Sequence, residues 1–376
     1  MYIDCNKMPK LGFGLMRLPE KNGSIDMLQV CKMVDAYMAS GFNYFDTAYV
    51  YHEGKSETIA KEALVNLYPR NSFYLATKLP AWSMKGPEDR DRIFTEQLER
   101  AGVEYFDFYL LHSLEDGTNY DTYEKYDCFN WAGQKKQEGK IRHFGFSFHG
   151  TPALLEQVLD RHPEVEFVQI QLNYADWNNQ VVQSGALYQI LHQRNIPIIV
   201  MEPVKGGTLS SLPDELESML RKVHPNASAA SWALRFAGSL DGVVTILSGM
   251  STPEQMDDNL KTFSPLKPLS QEEQAVIGEV VKKMLNIPLI PCTSCRYCCE
   301  GCPAGIHIPD VFRALNTVRM YPNDERPHMF YKNLVAESGQ AISCMACGQC
   351  ERVCPQHLPV MELIREAAQK LDQRQK

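Results

Sequence analysis

An acidic residue and a phenol lie close together near the start of the chain, in residues 43–57, NYFDTAYVYHEGKSE. A short apolar strand is predicted to end at Asp46, and the turn after it presents Tyr51. A carboxylate and a phenol five residues apart, just beyond a strand, are suited to proton transfer. A buried carboxylate that caps a turn and a packed tyrosine would also explain the pair, so the interpretation depends on the rest of the chain.

Three later strands carry polar side chains where each strand is predicted to end: Lys78 in YLATK, His112 in YFDFYLLH and Ser147 in GFSFHG. A free tyrosine has a pKa near 10, so as a proton donor at neutral pH it needs a nearby cation to stabilise the phenolate. Lys78 is suited to supply that charge, Asp46 to hold the ammonium, and His112 to hydrogen-bond the oxygen that receives the proton. Such a site would polarise a carbonyl and protonate the alkoxide as hydride arrives at carbon. Taken singly, Lys78 and His112 also have structural interpretations, as an ion-pair partner and as a hydrogen-bonded histidine.

The cysteines form a second reactive set. Of the twelve in the chain, eight lie in two runs, within CTSCRYCCEGCP and CMACGQCERVCP. Both runs have the spacing Cys-x2-Cys-x2-Cys-x3-Cys-Pro, which is typical of ferredoxins with two 4Fe-4S clusters, where the fourth thiolate of each run ligates the other cluster. Cys299 is left over, and zinc is the alternative metal, since four thiolates also suit a tetrahedral site. The crossed pattern assigns one cluster to Cys292, Cys295, Cys298 and Cys354, and the other to Cys344, Cys347, Cys350 and Cys302.

The composition limits the class of protein. A chain of 376 residues, 44% of them hydrophobic, is long enough for one barrel-sized domain with a substantial core plus a small second domain. The formal net charge of -8 argues against nucleic acid and anionic membranes as partners, since both select a basic face. We expect a cytoplasmic protein, because the N-terminus has no targeting signal and no apolar run reaches membrane-spanning length.

The elements that must position these side chains form a repeating pattern. Short apolar strands alternate with amphipathic helical segments, and repeated strand and helix units need a parallel sheet covered by helices. Eight units over this length favour an α/β fold of the (β/α)8 TIM-barrel type; an open doubly wound sheet is the alternative, weakened by the lack of a G-x-G-x-x-G sequence. The predicted strands are 11–14, 42–46, 73–77, 106–111, 143–147, 167–172, 198–201 and 243–247.

The sequences FDTAYVY, LATK and YFDFYLLH, in this order and spacing, resemble the Asp, Tyr, Lys and His of the aldo-keto reductase family. The resemblance runs from LGFGLMRLP to about Asn259. It implies a TIM-type barrel with a nicotinamide cofactor, usually NADPH, bound across the C-terminal rim. It also implies that Tyr51 is the general acid and that Asp46, Lys78 and His112 are the other catalytic residues.

The same resemblance implies cofactor contacts. Ser147 and Gln169 match residues that hold the nicotinamide carboxamide. Asp258 and Asn259 match an acid and amide pair near the adenine.

Several cofactor positions depart from the family pattern. Phe148 stands where an asparagine usually helps hold the carboxamide, Met201 where an aromatic often stacks on the nicotinamide, and Gln255 where an arginine often contacts the adenosine phosphate. The segment from Gly249 to Thr252 also lacks the usual basic residue. With no strong positive group to hold a 2′-phosphate, the sequence leaves NADP(H) and NAD(H) open, and a barrel that has lost nucleotide binding is a further alternative.

The composition shifts after Asn259. Pro265 and Pro268 interrupt the chain, and Ser270 with Glu273 predicts a capping box that starts a helix ending near residue 285. Residues 309–318 and 360–371 have helical spacing around the cysteine runs. We therefore expect a barrel domain at 1–286 and, at 287–376, a unit that resembles the α-helical ferredoxin domains of larger oxidoreductases. This combination resembles a subgroup of aldo-keto reductases with a C-terminal ferredoxin-like domain.

Three functions follow from this reading. The first is an NAD(P)H-dependent reductase of a small-molecule carbonyl compound, an aldehyde, ketone or sugar, whose iron–sulfur domain is structural or shapes the pocket. The second is an electron-transfer oxidoreductase whose clusters exchange electrons with a flavoprotein or ferredoxin partner. Because hydride carries two electrons and a cluster accepts one, direct exchange between a nicotinamide and the clusters would normally require a flavin or another two-to-one electron converter. The sequence has no clear flavin-binding motif. The third is a binding module with a decayed active site.

Overall fold

Eight parallel strands form a closed barrel in the part of the chain that the structure describes, which confirms the predicted fold class. This computed structural model describes residues 3, 8–21, 24–115, 118–179, 182–285, 288–290, 292, 297–320, 325–354 and 357–372. All eight strands lie where the sequence predicts them. In chain order they are β1 (Leu11–Gly14), β2 (Tyr44–Asp46), β3 (Tyr74–Pro80), β4 (Phe106–Leu114), β5 (Ile141–Phe148), β6 (Phe167–Gln171), β7 (Ile198–Met201) and β8 (Val243–Ser248).

Each strand pairs with its neighbours along the chain, and β1 pairs with β8 to close the ring, with Leu11 opposite Ile246. Strands β3 and β4 each continue three residues beyond their predicted ends, so Lys78 and His112 lie within strands rather than at strand ends. A short antiparallel hairpin, Glu20–Lys21 with Ser24–Ile25, follows β1 and was not predicted.

Local capping explains where several helices begin. Thr151 and Thr252 precede Pro152 and Pro253, and each threonine hydroxyl accepts a hydrogen bond from a backbone N–H in the first turn. The helices are α1 (Met27–Ala39), α2 (Ser56–Ala60), α3 (Glu88–Ala101), α4 (Thr118–Lys125), α5 (Cys128–Gln137), α6 (Pro152–Arg161), α7 (Ser184–Gln193), α8 (Asp214–Val223), α9 (Ala229–Gly238), α10 (Pro253–Phe263), α11 (Gln271–Leu285), α12 (Tyr297–Glu300), α13 (Ile308–Met320), α14 (Arg326–Glu337), α15 (Gln349–Arg352) and α16 (Val360–Ala367).

The predicted capping box before α11 is present. The backbone N–H of Ser270 donates to the Glu273 carboxylate at 2.7 Å, and the N–H of Glu273 donates to the Ser270 hydroxyl at 3.2 Å. The helix therefore begins where the sequence signal places it.

The barrel interior carries an apolar layer that positions the site above it. Side chains two residues apart on a strand point to the same face. The residue two positions after each inward-pointing residue therefore also points inward, nearer the C-terminal rim. The apolar layer includes Tyr44, Ala76, Leu110, Phe167 and Ile199. Two residues beyond these are Asp46, Lys78, His112, Gln169 and Met201. The strand period alone thus brings these five predicted site residues to the C-terminal end of the barrel interior.

The chain divides into two compact units, Met1–Ser210 with Asn226–Gln274, and Ser211–Pro225 with Ala275–Lys376. The second unit has its own apolar core, built around α13, α14 and α16. The predicted domain boundary between residues 286 and 287 stays a prediction.

Within the described residues, no helix combines the length and apolarity needed to cross a membrane.

Gly145 of β5 provides a test of how tightly the barrel interior is packed. A Cβ atom at this position would lie 2.3 Å from the backbone carbonyl oxygen of Phe167, which cannot rotate away. We expect Gly145→Ala to lower the free energy of unfolding by about 1–3 kcal/mol, and the midpoint of thermal unfolding with it. Gly133→Ala in α5 is the matched control, since nothing lies within 4 Å of its Cβ position and alanine favours a helix. Equal unfolding temperatures for the Gly145 variant and the unchanged protein would contradict this account.

Candidate active site

The Lys78 ammonium connects three parts of the site. Its side chain is 1% exposed and its Nζ donates hydrogen bonds to Asp46 Oδ1 at 2.5 Å, to the Thr47 carbonyl oxygen at 2.8 Å and to the Tyr51 hydroxyl at 3.3 Å. The same Nζ lies 4.8 Å from the centre of the Tyr51 ring. The structure therefore brings Asp46, Tyr51 and Lys78 together around one buried positive charge.

Burial and charge set the protonation states of this group. Burial disfavours the charged form of Lys78, but the charges and hydrogen bonds of Asp46 and Tyr51 together outweigh it, so the pKa of Lys78 lies above its usual value. Burial raises the pKa of Tyr51; the Lys78 ammonium acts against this rise, while the charges of Asp46 and Glu202 add to it. At neutral pH the site therefore holds a neutral phenol beside a positive ammonium, the arrangement that a proton donor of this kind needs.

His112 faces the same phenol. The ring centres of His112 and Tyr51 are 5.9 Å apart, and the indole of Trp82 lies 5.1 Å away on another side. Nδ1 of His112 is buried and has no hydrogen-bond partner among the described residues. Burial, with the positive charges of Lys78 and His149, lowers the pKa of His112 well below its usual value. The imidazole is therefore neutral at neutral pH and carries a single N–H donor.

The turn that presents Tyr51 has an unusual backbone. His52, Glu53 and Gly54 follow it with positive φ angles of 50°, 57° and 83°. Residues other than glycine seldom adopt this conformation, and it persists only where the surroundings hold it. One such contact is the Leu18 backbone N–H, which donates to Nε2 of His52 at 3.4 Å.

A buried polar network lies behind Lys78, and the sequence analysis missed it. The Thr77 hydroxyl and the Gln97 amide donate to Glu57 Oε1 at 2.6 and 2.9 Å, and the Gln97 amide also donates to the Lys78 carbonyl oxygen at 3.0 Å. The Tyr109 hydroxyl completes the network by donating to Gln97 Oε1 at 2.6 Å. Burial raises the pKa of Glu57. The network fixes the backbone of β3 at Lys78, and its only sequence signal is the position of Thr77 beside that lysine.

Two of the predicted carboxamide contacts lie side by side on neighbouring strands. Ser147 on β5 is paired in register with Gln169 on β6, and both side chains are buried. The Ser113 backbone N–H donates to Ser147 Oγ at 2.8 Å, whereas Gln169 Oε1 has no partner among the described residues. Met201, the third predicted residue on this side, is the half-buried last residue of β7. Gln169 Oε1 is therefore a buried acceptor that could receive a hydrogen bond from an amide N–H₂ group placed here.

The other predicted cofactor residues line a cavity of about 290 Å³ in the barrel unit. Asn259 donates to Ser248 Oγ at 2.7 Å, and Asp258 Oδ2 accepts from the Ser228 hydroxyl at 2.7 Å. Ser147, Gln169 and Met201 are not part of this lining. The predicted residues that line it are Gly249, Gln255, Asp258 and Asn259.

The same cavity corrects the expectation that no strong positive group is available there. Arg17, from the segment after β1, contributes to the lining, and its Nη2 lies 3.5 Å from Oε1 of Glu202, the residue that follows β7. The family pattern places the basic residue near 249–255, in the segment after β8. Arg17 gave no such signal in the sequence, because the two segments are neighbours only through the closing pair of strands, β1 and β8.

Four cysteines surround a small cavity of about 20 Å³ in the second unit. Cys302 comes from the first run and Cys344, Cys347 and Cys350 come from the second, which is the set that the crossed pattern assigns to one cluster. Of the other predicted ligands, Cys292, Cys298 and Cys354 pack against the core of the unit, and Cys295 lies outside the described residues. Within the described ranges, no three Cys, His, Asp or Glu side chains are grouped for a single metal ion.

The Asp46–Lys78 pair makes a prediction about stability. Lys78→Met would leave the Asp46 carboxylate buried without its cation, so we expect the free energy of unfolding to fall by about 3–5 kcal/mol. Adding Asp46→Asn removes that charge and should recover part of the loss. Because burial raises the pKa of Asp46, the folded single variant takes up a proton more readily than the unfolded chain, and its deficit should shrink as the pH falls. Thermal unfolding of both variants at several pH values measures this; a double variant no more stable than the single one would contradict it.

Comparison with known proteins places the barrel in a family. Residues 10–282 match the sequence model of the Aldo/keto reductase family, and residues 291–358 match that of the 4Fe-4S dicluster domain. The oxidoreductase YqkF of Bacillus subtilis, described as uncharacterized, is 25% identical over 297 residues, covering 70% of this chain and 90% of that protein.

Solved structures agree with this assignment at the level of the fold. An aldo-keto reductase from Bacillus halodurans in its holo form aligns with a TM-score of 0.58 at 24% identity, covering 73% of this chain and 92% of that one. An aldo/keto reductase from Klebsiella pneumoniae, solved with NADP and acetate, aligns with a TM-score of 0.57 at 22% identity and the same coverages, 73% and 92%. Since the family match spans most of the chain, this protein belongs to the aldo/keto reductase family and carries a 4Fe-4S domain after its barrel.

Proposed function

We propose that this protein reduces the carbonyl group of a small aldehyde, ketone or sugar, with hydride from NADPH or NADH and a proton from Tyr51. The observation that carries the proposal is the position of the Lys78 ammonium, which contacts the Asp46 carboxylate and the Tyr51 hydroxyl at once. A buried cation touching a phenol favours the phenolate that proton donation leaves behind.

The residues present fit a nicotinamide dinucleotide. The unpartnered Gln169 Oε1, beside the Ser147 hydroxyl, is suited to accept a hydrogen bond from the carboxamide N–H₂ group. The cavity lined by Gly249, Asp258 and Asn259 is suited to the adenosine part of the same molecule. The NADP found in the related Klebsiella pneumoniae structure supports this assignment.

The chain's own residues would act on the carbonyl oxygen. A bound reduced nicotinamide would supply hydride to the carbonyl carbon. Tyr51 gives its hydroxyl proton to the oxygen as negative charge develops there, and Lys78 stabilises the phenolate that remains. The neutral His112 donates a hydrogen bond to the same oxygen and polarises the carbonyl. In alcohol oxidation the same groups act in reverse, with the Tyr51 phenolate as the base.

A pair of tyrosine variants tests whether Tyr51 is the general acid. Tyr51→Phe removes the proton donor, so we expect the rate of carbonyl reduction to fall at least about a hundredfold. Tyr49→Phe is the matched control, because the Tyr49 hydroxyl donates to Glu96 at 2.7 Å and takes no part in the proposed chemistry. A panel of aldehydes, ketones and sugars with NADPH and NADH, assayed alongside nucleotide affinity, makes the measurement. Full activity in Tyr51→Phe would exclude Tyr51 as the acid and favour another catalyst or a binding module.

We propose that the second unit holds two 4Fe-4S clusters. Thiolates are the ligands that such clusters require, and the cavity surrounded by Cys302, Cys344, Cys347 and Cys350 combines both runs in the manner of the crossed pattern. When bound, the clusters would supply one-electron redox chemistry or structural cross-links. The cysteines that remain for the other cluster are Cys292, Cys295, Cys298 and Cys354.

One observation favours a second candidate function, electron exchange with a redox protein. Cys347 is exposed, and its neighbour Met345 has 63% of its surface open to solvent. A cluster ligated by Cys347 would therefore lie near the protein surface, where an electron carrier could approach it. The two functions differ in whether cluster reduction must accompany turnover.

Cysteine variants test the crossed pattern. We expect Cys302→Ser and Cys347→Ser to lose the same cluster, and Cys354→Ser to lose the other, because each run gives its fourth thiolate to its partner. Iron content and the electron paramagnetic resonance signals of the reduced protein distinguish the clusters. Cys299→Ser is the control, and it should retain both clusters. Loss of one signal in both Cys302→Ser and Cys292→Ser, with the other signal intact, would overturn the crossed assignment.

A further inference from the structure

The cavity at the barrel rim has an unusual balance of charge. Among the described residues that line it, Arg17 is the basic side chain, and Glu202 and Asp258 are the acidic ones. Lys205, in the loop after β7, is paired with the buried carboxylate of Asp176 and does not line the cavity. A phosphate group entering this cavity would therefore meet two carboxylates and a single guanidinium, so its binding would depend on Arg17.

Arg17 is built into the wall of the cavity. Its backbone carbonyl oxygen accepts a hydrogen bond from the Ser251 hydroxyl at 2.7 Å. The side-chain stem lies over Gly249, where an added Cβ would sit 3.3 Å from Arg17 Cβ and Cδ. The side chain is also partly open to solvent, with 46% of its surface exposed. The segments after β1 and β8 together fix where the charge lies.

Two backbone donors beside Arg17 are already used within one turn. The Ser251 backbone N–H donates to Gln255 Oε1 at 2.7 Å, and the Gln255 N–H donates to the Thr252 hydroxyl at 3.3 Å. Gln255 stands at the position where the family resemblance places a phosphate-binding arginine, and here its side chain is engaged within its own turn. Arg17 brings a positive charge to the same region from a different segment of the chain.

The ion pair between Arg17 and Glu202 is of a kind that a ligand can exchange. Its Nη2 to Oε1 distance is 3.5 Å, and both side chains are partly exposed, Glu202 by 33%. Solvent-exposed pairs at such distances contribute little to stability, so giving one up costs little. A phosphate offers the guanidinium two oxygens for a bidentate contact. A 2′-phosphate monoester also carries more negative charge than one carboxylate.

We propose that Arg17 is the phosphate-binding cation of this cavity and that Glu202 is the carboxylate that the phosphate displaces. The inference rests on the proposed function, because it takes a nicotinamide dinucleotide as the ligand. Two groups share the required chemistry: the 2′-phosphate, which only NADPH carries, and the pyrophosphate, which NADPH and NADH both carry. Arg17, in the segment after β1, would thus supply the positive charge that the family pattern places in the segment after β8.

Equilibrium binding tests the proposal without relying on catalysis. NADPH and NADH are titrated separately into the anaerobically purified full-length protein, with nicotinamide fluorescence as the readout. We expect Arg17→Ala to weaken binding about tenfold or more, the effect of losing a charge-assisted hydrogen bond. Glu202→Gln should tighten NADPH binding about threefold or more, because it frees Arg17 and removes a repelling charge. Arg92→Ala is the matched control, since Arg92 is 49% exposed and paired with Asp89 and Glu96 on α3.

The outcomes separate the possibilities. Weaker binding of NADPH alone in Arg17→Ala identifies the 2′-phosphate, and weaker binding of both nucleotides identifies the pyrophosphate; either result supports the proposal. Unchanged affinities in Arg17→Ala, or an equal loss in Arg92→Ala, would overturn it. Weaker NADPH binding in Glu202→Gln would overturn the role given to Glu202. If the unchanged protein binds neither nucleotide, the proposed function itself fails.

Discussion

The structure of the barrel rim depends on how one buried ammonium is satisfied. A lysine removed from water is tolerated only where its donors meet acceptors, and here the acceptors come from three places: the Asp46 carboxylate, the Thr47 carbonyl and the Tyr51 hydroxyl. Asp46 and Lys78 lie on adjacent strands, whose register places Asp46 beside Ala76. The same charge therefore ties two strands to the turn that carries the phenol.

The surrounding chain supplies what this arrangement requires. Behind Lys78, the Glu57–Gln97 network fixes the strand backbone, so the ammonium has little freedom to move away from Tyr51. In front of it, the turn after Tyr51 adopts left-handed backbone angles at His52 and Glu53. A strained turn of this kind persists when contacts on both sides hold it, and here the Lys78 and Leu18 contacts do so.

The sequence predicts the fold well because the strand signal is local. Buried parallel strands are short, apolar and separated by helices, and each of the eight can be recognised within its own few residues. The inward positions of Lys78 and Gln169 also follow from the period of two, counted from interior residues of the same strands. The ends of β3 and β4 were less predictable, because a strand that continues past its apolar run is held by pairing to its neighbours.

The parts of the site that the sequence missed are those set by long-range packing. Arg17 and Gly249 are distant in sequence and meet because β1 pairs with β8. A closed barrel in itself implies that the segment after β1 borders the segment after β8, so a basic residue in either segment can reach the same cavity. Glu57 and Gln97 carry no comparable signal, since nothing local shows that a carboxylate and an amide are buried together.

The closing pair also has a consequence for how the protein is made. Every other pairing in the barrel joins strands that follow one another in the chain, whereas the pairing of β1 with β8 must wait until Ile246 and its neighbours have been synthesised. Until then the nascent chain exposes the open edge of β1 and of whichever strand was completed last, and open edges invite pairing with other chains. Closing a loop of this length costs conformational entropy before the new contacts form, so we expect ring closure to be a late step of folding. The cysteine runs are synthesised after β8, when all eight strands of the barrel are already present in the nascent chain.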